Sequence, residues 1–282
     1  MREGVIPFTP LSEGGFMYVP SASPIDSAVR TEIEARLAAT AGEEGVRLLL
    51  AIESGSRAWG FPSPDSDYDV RFIYVRPRRD YLALQPVRDV IERPIVDEID
   101  LNGWDIRKAL GLMLKNNSVL SEWIESPISY READPVIARI AELEDRYFDP
   151  QSYALHYANL GKAAVARWFE QGQDIAVKRY FYALRPALAI RVLRLDPSRR
   201  PPMQLQALMV RADLPSILGG EIDRLVELKA ETREAGMVTR VEALEALILD
   251  ELDRAAEVPT RPESGAFANE ANELFLDLVD EK

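Results

Sequence analysis

Two short apolar runs, separated by a loop rich in Gly, Ser and Pro, restrict the fold more than any other feature of this chain. Val46-Arg47-Leu48-Leu49-Leu50-Ala51-Ile52 has the composition of a buried strand. Tyr68 to Val75 is rich in aromatic and β-branched residues and stops at Arg76-Pro77, so it reads as a second strand. Before them, the stretch from Pro24 to Gly45 has helical spacing, with Asp26 or Ser27 as cap and Val29, Ile33, Leu37 and Ala38 on one face. After them, strands are predicted over Arg88 to Glu92 and Val96 to Leu101. Asn102-Gly103 is expected to break or bulge that pattern, and a helix over Asp105 to Leu114 follows, with Ile106, Leu110 and Leu114 aligned.

Beyond Pro135 the strand signals fade. Helical segments are predicted over 136–146, 150–171, 174–195, 203–212, 219–234 and 237–256, with breaks at Pro197–Pro202 and Pro259–Gly265. An acidic tail resumes helical spacing at Phe267, Ala271, Leu274, Phe275 and Leu278, while residues 1–24 read as irregular. The expected architecture is therefore an α/β domain with a small mixed sheet over residues 1–135, followed by a helical domain over 136–282 that closes over its cleft.

Composition removes several kinds of chemistry. The chain has no cysteine, which excludes disulfides, thiolate metal sites and a cysteine nucleophile, and fits a reducing compartment. Its single histidine, His156, cannot supply a paired-histidine metal site, so metal chemistry has to rest on carboxylates, which select magnesium or manganese. His156 itself reads as a satisfied structural residue on a helix. No segment resembles a signal peptide or a membrane span, and the expected location is the cytoplasm. The net charge is -13, whereas proteins that hold long nucleic acids carry basic surfaces. The nearest basic clusters, Arg76 with Arg78 and Arg79, and Arg199 with Arg200, read as solvated loops.

The chemistry is concentrated in Glu53-Ser54-Gly55-Ser56-Arg57 and the residues up to Val70. Gly55 and Ser56 form a turn at the end of a strand, where glycine lets a phosphate approach the backbone and the serine adds a hydroxyl donor. Asp67 and Asp69 follow at i and i+2, so strand alternation puts both carboxylates on one face. A third acid is needed on a neighbouring strand. Asp100, between Ile99 and Leu101, is the candidate, and Asp105 is its rival, better suited to helix entry. Three such acids would hold two divalent ions about 3.5 to 4 Å apart, one activating a hydroxyl and one holding a triphosphate. The reaction class is phosphoryl or nucleotidyl transfer, with an NTP as substrate. Lys178, Tyr182 and Arg185, at i, i+4 and i+7, share one helix face suited to phosphates and a base, while Arg57 suits either a triphosphate or an ion pair with Asp65 or Glu53. Trp59 and Phe61 read as packing residues.

The Gly-Ser turn, the Asp-x-Asp pair and the later strand acid resemble the polymerase β nucleotidyltransferase pattern. More narrowly, ESGSRAWGFPSPDSDYDVRFIYV, EIDLNGWDIRKAL, LSEWIESPISY and KRYFYALRPALAIR are similar to the RlaP family, polymerase-β-type nucleotidyltransferases linked to RNA repair. The resemblance implies an RNA end as acceptor. A protein side chain or a small molecule remains open as acceptor, as does a catalytically silent nucleotide-binding scaffold.

Overall fold

The computed structural model describes residues 25–167, 174–232 and 236–281. The irregular amino-terminal stretch and the predicted helix ends at 168–171 and 233–234 lie outside them. Helix α1 (Ser27–Glu44) starts on Asp26, whose carboxylate caps two backbone N–H groups, and ends at Gly45 in the left-handed conformation (φ 63°). It leads into β1 (Arg47–Glu53), the short helix α2 (Gly55–Trp59), and β2 (Tyr68–Val75). After α3 (Arg78–Tyr81) come β3 (Val90–Glu92), β4 (Ile99–Asp105) and α4 (Ile106–Met113). The sheet runs in the order β1-β2-β4-β3, antiparallel except for the parallel β2–β4 pair, so it is mixed, as expected.

β1 is shifted by one residue from the sequence reading and β3 starts two residues later, at Val90, but the larger differences are at the two ends of β4. Asn102-Gly103 does not interrupt β4, which continues to Asp105 with alternating burial. Gly103 lies opposite Phe72 of β2, and a Cβ there would stand 2.0 Å from the Phe72 ring. The glycine makes room for a neighbour's ring instead of ending the strand. Val96 lies outside β4, paired with Ile99 across a reversal in which Asp97 and Glu98 take φ values of 53° and 64°. Asp is tolerated in that region, and the turn sets where β4 begins.

The remaining elements are mostly helices: α5 (Ser118–Ile124), α6 (Val136–Tyr147), α7 (Pro150–Ala166), α8 (Val177–Leu195), α9 (Leu205–Arg211), α10 (Ser216–Glu231), α11 (Glu242–Asp253) and α12 (Gly265–Asp280). Sequence periodicity missed α5 and a small antiparallel ribbon, β5 (Asp174–Ala176) with β6 (Met237–Thr239), all too short to show a period. No helix among the described residues is long and apolar enough to cross a membrane.

Three apolar clusters hold these layers together. One face of the sheet packs on α1 through Ile33, Leu37, Phe72 and Leu101. The other packs Leu49, Ile52 and Ile73 against α4, α5, α6 and α12, so the acidic tail helix lies on the core behind the sheet. The third cluster gathers α7 to α11 and takes in Phe61 from the loop after α2. The arginines expected in solvated loops divide. Arg78, Arg79 and Arg199 are exposed, but Arg76 and Arg200 are buried. Arg200 pairs with Glu144 at 2.9 Å and Asp145 at 2.7 Å, and so ties the segment after α8 to α6. A buried carboxylate such as Glu144 requires such a partner.

Because the Phe72 ring is fully buried, Gly103→Ala forces β2 and β4 apart. Urea denaturation is expected to show a loss of about 1–3 kcal/mol; an unchanged midpoint would mean that the ring can move aside.

Candidate active site

The β2–β4 register places Asp69 directly beside Asp100 on adjacent parallel strands. Each carboxylate is roughly seven-tenths buried, at 31% and 28% side-chain exposure. Between them lies a residue that the sequence reading passed over. Arg71 Nη2 donates to Asp69 Oδ1 at 2.9 Å and to Asp100 Oδ2 at 2.8 Å, while its Nη1 donates to the carbonyls of Val70 and Asp100. Arg71 is two residues beyond Asp69, so the alternation that aligned Asp67 with Asp69 places Arg71 on the same face.

Asp67 stands one residue before β2 and is exposed. It is near enough to Asp69 to repel its charge, as is Asp100. Burial is the larger influence and raises the pKa of Asp69, with Arg71 and Lys178 acting in the opposite direction. The structure thus brings Asp69 and Asp100 together with Asp67 at their edge. Among the described residues no three acids or histidines, these three included, are drawn close enough together to form a ready ligand group for a metal ion. The rival, Asp105, lies five residues further along β4, about 16 Å at strand spacing. There it caps α4 through Arg107 N (2.8 Å) and accepts from the Tyr81 hydroxyl.

The turn before α2 fits against this pair. Gly55 has φ +59°, and a Cβ built on it would lie 1.8 Å from Asp69 Oδ2. Only glycine permits both the conformation and the approach. Ser56 Oγ bonds to Ser66 Oγ at 2.9 Å, and Ser66 also accepts from Ser63 N, which ties the loop back to the turn. Arg57 donates to the carbonyls of Ser66 (2.6 Å) and Asp67 (3.2 Å) and lies 4.1 Å over the Tyr68 ring. These contacts brace the segment carrying Asp67.

Beside the turn opens a cavity of about 600 Å³, bounded by Ser54, Trp59, Glu122, Lys178, Tyr182 and Arg185 among others. The predicted face of α8 does line it. Lys178 reaches the field of Asp69, and Tyr182 meets Trp59 edge to face at 5.7 Å. Arg185 lines the cavity too, with its guanidinium engaged by other groups. It is buried, pairs with Glu122 at 2.5 Å, donates to Met203 O and lies 4.6 Å over Trp59. It forms a neutralised wall of the cavity. Trp59 lines the same space, whereas Phe61 is packing, stacked on Phe181 at 4.4 Å. Burial lowers the pKa of His156, and its buried Nε2 has no hydrogen-bond partner among the described residues, so it is less satisfied than expected.

Glu53 is the second functional neighbour that the sequence reading missed, although an acid ending an apolar strand is itself a signal. It is fully buried at the end of β1, accepting from Asp69 N at 3.0 Å and from the Tyr130 hydroxyl at 2.5 Å. Burial pushes its pKa from 4.5 to about 7. A folded-state pKa above the unfolded value means that the folded chain binds the proton more tightly. The stability this confers is full below about pH 4.5 and is lost as pH rises through 7, a change of about 3 kcal/mol. Unfolding midpoints measured across that window should fall with pH in the wild type and fall less steeply in Glu53→Gln. Parallel profiles would show that Glu53 does not carry this proton.

The chain is similar to a protein family, to a bacterial protein and to a solved structure. The sequence model for the RlaP family, described as the RNA repair pathway DNA polymerase beta family, matches residues 29–277. The uncharacterized protein YcgL of Bacillus subtilis is 39% identical over 239 residues, covering 84% of this chain and 91% of that one. A nucleotidyltransferase-like protein from Exiguobacterium sibiricum aligns over 89% of this chain and 80% of its own, at 12% identity and a TM-score of 0.30. With the family match running from α1 to α12 and the acids paired on β2 and β4, the chain belongs to the RlaP family and is a nucleotidyltransferase of the polymerase β type.

Proposed function

We propose that the protein transfers a nucleoside monophosphate from an NTP to a hydroxyl acceptor, with Asp67, Asp69 and Asp100 as its catalytic acids. The observation that carries this reading is the Asp69–Asp100 pair, set against Gly55, with Lys178 of the cavity wall near enough to act on the charge of Asp69. In the transfer, the acceptor oxygen bonds to the α-phosphorus, the bond from that phosphorus to the β-phosphate bridge breaks, and pyrophosphate leaves. Asp100 is on hand to take the hydroxyl proton, and Lys178 to neutralise the departing phosphates. The cavity, with Trp59 and Tyr182 on its wall, takes the base and sugar. The closing of the helical half, residues 136–282, over residues 1–135 is part of the same reading.

The donor set suits a hard divalent ion. It consists of carboxylates alone, and the missing Cβ of Gly55 leaves one oxygen of Asp69 room against the turn. Asp69 and Asp100, with Asp67 beside them, would hold magnesium or manganese in a two-metal site. Such ions lower the pKa of an attacking hydroxyl and neutralise a triphosphate.

For the acceptor we propose an RNA end, on the strength of the family's description. The net charge of -13 favours a second reading, in which a protein side chain or a cationic small molecule receives the nucleotide. The cysteine-free composition suits the cytoplasm as the setting for either.

The test is incubation with each α-labelled NTP, magnesium or manganese, and total RNA, beside Asp69→Asn and Asp100→Asn. Label is expected on RNA, reduced roughly 100-fold or more in each variant. Label on protein or on a small molecule would replace the RNA acceptor, and no transfer to any acceptor would leave a nucleotide-binding scaffold.

A further inference from the structure

The arginine between the two carboxylates has a consequence for ion binding at the site proposed above, and the inference rests on that proposal. Arg71 Nη2 holds Asp69 Oδ1 and Asp100 Oδ2 with a single nitrogen, at 2.9 and 2.8 Å. An ion shared by these carboxylates, whichever of their oxygens it used, would lie close to the same guanidinium charge and be repelled by it. Nη1, meanwhile, is held by the carbonyl oxygens of Val70 (3.1 Å) and Asp100 (3.0 Å), so the guanidinium has an anchor that does not depend on the carboxylates. The Arg71 side chain is only 18% exposed, and an arginine cannot shed its proton to clear the way.

We propose that Arg71 is a built-in counter-cation that competes with the divalent ion for Asp69 and Asp100, so that the ion binds the protein weakly by itself and tightly only together with a triphosphate. Removing the guanidinium charge frees both carboxylates for the ion. Adding a triphosphate achieves a similar end by a different route, since phosphate oxygens supply further ligands and further negative charge that offset Arg71. In this role Arg71 is a positioning residue. It keeps two like-charged side chains side by side across the β2–β4 register and makes their use as ligands conditional on substrate.

The discriminating measurement is manganese binding, followed by the loss of the free-ion paramagnetic resonance signal, for the full chain with and without a non-hydrolysable NTP analogue. Three proteins are compared: wild type, Arg71→Gln and Arg71→Lys, each checked for native circular dichroism. Without nucleotide, Arg71→Gln is expected to bind manganese at least tenfold more tightly than wild type. Arg71→Lys, which keeps the charge, should remain close to wild type. With the analogue, the wild-type affinity should rise by more than that of Arg71→Gln. If Arg71→Gln fails to fold, Arg71→Lys carries the test against the wild type, because tight nucleotide-free binding in that variant overturns a role based on charge. Equal or weaker binding in Arg71→Gln overturns the competition and makes Arg71 a support for the ligands. That outcome leaves the metal-dependent reading standing. No manganese binding by any of the three proteins, with or without the analogue, overturns both.

Discussion

The parallel pairing of β2 with β4 is the constraint on which the site depends. It puts Asp69 level with Asp100, and two carboxylates held at adjacent-strand distance repel each other unless something positive stands between them. Arg71 meets that need from within β2, and Gly55 meets the steric one, since no side chain fits between the turn and the Asp69 carboxylate. The pairing in turn depends on Gly103, which gives the Phe72 ring its place between the strands. Two glycines far apart in sequence thus serve one register.

Burial around the strand that carries Asp69 has a second effect. Glu53, at the end of β1, binds the backbone N–H of Asp69 and is itself held by Tyr130, from the segment that covers the edge of β1. A buried carboxyl group raised to about 7 is protonated for much of the time near neutral pH, which spares the site a further negative charge beside the aspartates. The same need for compensation recurs behind the sheet, where Arg200 meets Glu144, and at the cavity wall, where Arg185 meets Glu122. In each case the buried charge joins segments distant in sequence, and its removal would leave the partner unpaired in a medium of low polarity.

The turn and the helices are joined as one unit. The loop that leaves α2 sends Phe61 into the helical core, where it stacks on Phe181, and the buried Lys229 donates to its carbonyl at 2.8 Å. Trp59, two residues earlier, faces Tyr182 and Arg185 across the cavity. The strand–turn segment that carries Asp69 and the helix that carries Lys178 therefore share a packed boundary. Movement of α8 relative to the sheet would be felt at the turn.

Much of this was legible in the sequence. The span of β2, the cap and end of α1, the long helices, the acids at 67, 69 and 100, and the shared face of Lys178, Tyr182 and Arg185 all follow from local periodicity and turn chemistry, which neighbours in sequence dictate. The continuation of β4 through Gly103, the burial of Arg76 and Arg200, and the commitment of Arg185 to Glu122 were not legible, because each depends on what another segment presents. A glycine reads as a break until the ring opposite it is known, and an arginine reads as solvated until a buried acid is found to need it. Sequence alone determined which acids are available and the class of chemistry they suit. Only the tertiary structure decided that Asp69 faces Asp100, that Arg71 stands between them and that burial raises the pKa of Glu53, since side-chain charge and burial are settled by contacts between strands that the chain order does not reveal.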